Sequence, residues 1–79
     1  MNQLIDNFGS AVRHFRKSHG WSQELLAEKA DLNRSYLGEL ERGHVIPSLA
    51  TAAKLASAFE VQLSGLLAHC EKQPARDVG

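Results

Sequence analysis

Cysteine, proline and aromatic residues are all scarce in this chain, which carries one Cys, two Pro, one Trp, one Tyr and three Phe among 79 residues. A lone Cys70 rules out an internal disulfide framework, the usual support of a small secreted domain, and makes a reducing cytoplasm the expected compartment. The start MNQLID lacks a basic segment followed by an apolar stretch. No apolar run approaches the length of a membrane span, so secretion and insertion are both disfavoured. Strand alternation, internal repeats and low-complexity blocks are missing too. Nor is there a charge surplus: nine Lys and Arg are matched by nine Asp and Glu. That balance limits non-specific attraction to nucleic acid without forbidding specific contacts. The length leaves room for one small domain with a modest core, and none for a separate effector or catalytic domain.

Groupings that carry catalysis are also wanting. His14, His19, His44 and His69 are not spaced with carboxylates or Cys as metal ligands would be, and the pair His69 and Cys70 is a weak signal alone. No phosphate-binding glycine loop or nucleophile elbow occurs. Enzymatic activity, a metal, a cofactor and a small-molecule ligand are therefore not expected.

What the chain does have is helical periodicity. Leu4, Phe8, Val12 and Phe15 recur at the spacing of a first helix, which Gly20 can end in a left-handed cap. Ser22 can cap a second helix, with Trp21 and Leu26 placed for a hydrophobic staple, and Leu32 and Leu37 repeat that device around a third. Gly43 closes the third helix, HVIPS is a loop, and Ser48 caps a fourth helix with the stripe Leu49, Ala52, Leu55, Ala56 and Phe59. A short fifth helix near Leu63 to His69 presents Leu63, Leu66 and Leu67. The pattern predicts an all-α, five-helix domain over residues 1–70, then a frayed tail at 71–79 with nothing to bury.

The most informative segment is QELLAEKADLNRSYLGELER, from Gln23 to Arg42, whose spacing suits two short helices crossed at a steep angle. Leu26, Ala30, Leu32, Leu37 and Leu40 are apolar where such a pair must bury, and Ala27 falls at the crossing, where a larger side chain would hold the backbones apart. Asp31 and Leu32 form the turn, and Asn33 can cap the second of the two helices. Exposed along that helix would be Asn33, Arg34, Ser35, Gly38, Glu39 and Arg42, a thin polar strip of the kind that enters the DNA major groove. Arg34 can donate two hydrogen bonds to guanine O6 and N7, and Ser35 can reach a base or a phosphate. Glu39 can accept from a cytosine amino group or repel phosphate at wrong sequences. Taken one at a time, each of these is equally a solvated surface group, and Asn33 is first of all a cap.

The run W-S-Q-E-L-L-A, followed by L-N-R-S-Y-L-G-E-L-E-R-G and then I-P-S-L, resembles the phage-repressor-like helix-turn-helix regulators and, within them, the small controller proteins of restriction-modification systems. The resemblance spans roughly residues 8 to 68. Three positions depart from the usual pattern: Asp31 stands for a turn glycine, Gly38 for a small polar residue, and Leu25 for a polar one. The resemblance implies a compact lambda-repressor-like domain with its helix-turn-helix at helices 2 and 3. It further implies binding to a double-stranded DNA operator in transcription regulation, with RNA polymerase as a further partner of that role. Gln23 is implied as a phosphate contact, beside free backbone N–H groups at a helix start that favours anions. Arg16 and Glu41 are implied as an ion pair tying the first helix to the end of the reading helix. Arg42, His44 and the amides near Ser48 can grip the backbone across the groove. Tyr36 can reach a phosphate through its hydroxyl, or pack against the core.

One reading helix touches few base pairs, so a neutral monomer would bind weakly. Two such helices about 34 Å apart read two half-sites in register. A homodimer surface must lie away from the reading helix, where Val61, Leu63, Leu66 and Leu67 are available and Leu25 is the next candidate. The expected function is a homodimeric transcription regulator on a two-fold operator, of the controller type. Two alternatives stay open: an antitoxin-like protein that neutralises a protein partner and autoregulates through DNA binding, and an interaction module that has lost DNA binding, to which the neutral charge and Leu25 point.

Overall fold

The computed structural model describes residues 3–71, which form five helices: α1 (Gln3–Ser18), α2 (Gln23–Ala30), α3 (Arg34–Glu41), α4 (Leu49–Ala58) and α5 (Leu63–Glu71). The last runs two residues past its expected end at His69, so Glu71 belongs to a helix, and the rest of the expected tail lies outside the described residues. No helix among the described residues is long and apolar enough to cross a membrane.

Side-chain caps set the helix starts. The Ser22 hydroxyl accepts from the Leu25 amide at 3.0 Å, and the Ser48 hydroxyl accepts from the Thr51 amide at 3.0 Å. Asn33 Oδ1 accepts from two amides, of Ser35 at 2.8 Å and Tyr36 at 3.1 Å. Each bond satisfies a donor that the first helical turn leaves without an intrahelical acceptor. At the other ends the chain passes through the left-handed region at Gly20, Asp31, Gly43 and Glu60. Asp31, with φ 57° and ψ 50°, closes α2 in place of the customary glycine, and the Leu32 amide then donates to the Ala27 carbonyl at 2.8 Å.

The core is one cluster. Val12, Leu26, Leu37, Leu40, Leu55 and Leu66 are fully buried, with Phe8, Ala27, Ala30 and Phe59 around them. Helix α1 packs on α5 and α3, while α2 packs on α3 and α4. Trp21 stacks on Phe59 with its ring 5.9 Å away, and Lys29 Nζ lies 4.9 Å over the Trp21 ring. Two contacts have no counterpart in the hydrophobic pattern. A Cβ at Gly9 would stand 2.3 Å from the Leu40 carbonyl oxygen, so α1 crosses the end of α3 at a distance only glycine permits. Asn7, fully buried, donates from Nδ2 to the Cys70 carbonyl at 2.9 Å and joins α1 to α5.

Two expectations about the apolar face are corrected. Leu49, read as the start of the α4 stripe, is 71% exposed, because the first turn of α4 extends beyond the helices that cover Ala52 and Leu55. Leu66, read as part of a dimer surface, is fully buried. Leu66 and Cys70 lie four residues apart and share the inward face of α5, which leaves Leu63 and Leu67 on its half-buried flank.

Candidate nucleic-acid interface

Helices α2 and α3 are joined by the left-handed turn at Asp31, which Lys54 of α4 reinforces by donating to the Asp31 carbonyl at 3.4 Å. This places the first turn of α3 at the surface, with Arg34 and Ser35 exposed. Asn33 is exposed as well, but its Oδ1 is committed to the two cap bonds, so only its amino group is left for a base. Ser48 is in a similar position: its hydroxyl accepts from the Thr51 amide and donates to Thr51 Oγ1 at 3.1 Å. Tyr36 is half-buried against the core, which favours the packing role over the phosphate role.

Behind the exposed turn lies a polar knot around Glu41. Its carboxylate is wholly buried and accepts from Arg16 twice, Nε to Oε2 at 2.8 Å and Nη2 to Oε1 at 3.0 Å. Arg16 Nη1 reaches on to the Trp21 carbonyl at 3.0 Å. Donating to Glu41 holds the Arg16 guanidinium above its ordinary pKa, against the opposing effect of burial. Gln23 Nε2 donates to Glu41 Oε1 at 3.0 Å, so one carboxylate ties together α1, α2 and α3. The resemblance gave Gln23 to the phosphate, whereas here one of its two amino hydrogens serves the fold. Arg13, half-exposed, approaches the same carboxylate at 4.0 Å.

Gly38 needs correction. Expected in the exposed strip, it is buried beneath the side chains of Gln23 and Arg42, and a methyl group there would meet Gln23 Oε1 and Arg42 Nη2 at 3.7 Å. Gly38 is thus the floor on which those two polar side chains lie, and it presents no surface to a base.

Glu39 is the centre of a second, exposed cluster. Arg42 Nη2 donates to its Oε2 at 2.7 Å, and His44 Nδ1 donates to its Oε1 at 2.8 Å. The turn at Gly43, φ 79°, folds the chain back so that the His44 amide donates to the Glu39 carbonyl at 2.9 Å, which brings the His44 ring beside the carboxylate. The bonds from Arg42 first and His44 second hold the Glu39 carboxyl below the usual carboxylate range. Sequence reasoning had put all three residues on the interface without pairing them. The signal was there in part, since Glu39 and Arg42 stand three apart on a helix.

The sequence pattern did not reveal that two large apolar residues are exposed. Ile46 and Leu49 are 70% and 71% exposed. With Leu4, Ile5, Pro47 and Leu67 they line a groove of ≈ 180 Å³ between the starts of α1 and α4 and the flank of α5. Val61 and Leu63 are half-buried nearby on the chain, and Leu25 is 36% exposed on α2.

Residues 12–66 match the helix-turn-helix family. The control protein C.BamHI of Bacillus amyloliquefaciens is 43% identical over 61 residues, covering 76% of this chain and 75% of that protein. The immunity repressor protein of Bacillus phage phi105 is 41% identical over 59 residues, which cover 75% of this chain but only 41% of the repressor's length. Among solved structures, the restriction-modification controller protein C.AhdI from Aeromonas hydrophila is 40% identical and superposes with a TM-score of 0.75, over 78% of this chain and 94% of that one. With a match that runs from the second half of α1 into the first half of α5, and an α2–turn–α3 unit built as described, the chain belongs to the helix-turn-helix family.

Proposed function

We propose that this protein is a transcription regulator that binds a two-fold DNA operator as a homodimer, in a role like that of the restriction-modification controller proteins it is similar to. The observation that carries the reading is the exposed first turn of α3, where Arg34 and Ser35 project from a helix whose start is fixed by the Asn33 cap and whose end is fixed by the Glu41 knot. A guanidinium on a rigid helix end can make a bidentate contact to guanine, and rigidity is what turns such a contact into discrimination. In this reading Gln23 at the start of α2, and Arg42, His44 and the amides at the start of α4, serve as phosphate ligands on either side of that contact. The dimer surface is formed by Val61, Leu63 and Leu67, continued by Ile46 and Leu49 through the groove that Leu67 shares with them.

Selection of bound duplexes from a random-sequence pool tests the reading. The expected consensus is two-fold symmetric, with half-site centres about 10 base pairs, or a multiple of that, apart. A pool that emerges unenriched would overturn it. A restriction endonuclease or methyltransferase gene beside this one would assign the controller role, and a toxin gene would displace it.

A further inference from the structure

We propose that Glu39 is a specificity-determining residue that acts as an internal stand-in for phosphate, occupying Arg42 and His44 until the correct operator releases them. The inference rests on the DNA-binding reading above. Both side chains expected to grip the backbone are hydrogen-bonded to one carboxylate on the reading helix itself, at 2.7 and 2.8 Å. The carboxylate is half-exposed, so the pairs are ones that solvent and salt weaken and that a phosphate oxygen can displace. Displacement has a consequence for the third member. Once Arg42 and His44 turn to the backbone, Glu39 stands in the groove as an unpaired anion close to the phosphates. Only a base edge that donates, such as the cytosine amino group, compensates it there. On random DNA nothing does. The cluster therefore handicaps non-specific sites and leaves the operator unhandicapped, which a chain of zero net charge achieves without a basic surplus.

The substitution Glu39→Gln keeps the shape and removes the charge. On random-sequence duplexes it is expected to bind about two- to tenfold tighter than wild type. The slope of log K against log salt is expected to steepen by about one unit per protomer, because one internal anion no longer offsets the charge that meets the phosphates. Glu60→Gln, in the turn before α5, makes the same change of net charge outside the cluster and is the control. In a background of Arg42→Ala with His44→Ala, the gain from Glu39→Gln should vanish. Equal affinity and slope for Glu39→Gln and Glu60→Gln, weaker binding by Glu39→Gln, or a gain that survives loss of Arg42 and His44 would each overturn the inference. If wild type binds no duplex even at low salt, the proposed function fails with it. If wild type selects an operator and the Glu39 comparison is flat, only the stand-in role fails.

Discussion

At the scale of single residues, the structure separates side chains that are free to meet DNA from those already engaged. Arg34 is exposed at the head of α3, so Arg34→Ala should leave the fold intact and cost about 1–3 kcal/mol of operator binding per half-site. Operator and random-duplex affinities at one salt concentration check this, since an unchanged ratio means Arg34 reads no base. Arg16 is the opposite case. It holds a wholly buried carboxylate by two hydrogen bonds, and Arg16→Ala would leave Glu41 inside the protein with the Gln23 hydrogen bond and Arg13, half-exposed and 4.0 Å away. Losing one member of a buried pair destabilises by about 3–5 kcal/mol, and urea denaturation should show a lower midpoint with an unchanged slope. Gly9→Ala belongs with it, because the added methyl group would stand 2.3 Å from a backbone oxygen that cannot turn aside. Thermal unfolding of that variant should move down by several degrees, and an unchanged midpoint would mean that α1 can slide off α3 without loss.

Helices were legible in the sequence to the extent that their signals are local. A cap at Ser22, Asn33 or Ser48 needs only the residue and the two or three amides after it, and a left-handed Asp31 needs only its own short side chain. What lies opposite a helix is not local. The α4 stripe was phased correctly from Ala52 onward but began one turn early at Leu49, since periodicity says which residues share a face and not where the covering helices stop. Gly9 carries no pattern at all, for its meaning depends on a carbonyl in a helix some thirty positions away. In the same way the tie from Gln23 to Glu41 left no mark in the sequence, because it needs the tertiary fold to be seen. Helix α5 offers the matching test. Leu66→Ala should lower stability by about 2–5 kcal/mol through the cavity it leaves, whereas Leu67→Lys should stay folded and lose the dimer. Sedimentation with circular dichroism distinguishes the two, and a Leu67→Lys protein that is still helical and dimeric at low micromolar concentration moves the interface to Leu25.

At the scale of the whole molecule, alkaline pH acts on the buried Cys70 thiol. Burial pushes the Cys70 thiol up from 9.0 to about 11. The native state then keeps a proton that the unfolded chain releases, so this contribution to stability is complete below pH 9 and is lost as pH rises toward 11. Denaturation midpoints between those values should fall for wild type and fall less for Cys70→Ala.

The same thiol has a consequence for watching the protein move. Cys70 sits beneath the α1–α5 junction, with its carbonyl held by Asn7, and it is the chain's one cysteine. A thiol reagent can reach it only when that junction opens, so its labelling rate is a built-in clock for the parting of the first and last helices. Operator DNA and self-association would each slow that clock by the factor with which they favour the closed form, with no dye or tag added to the chain.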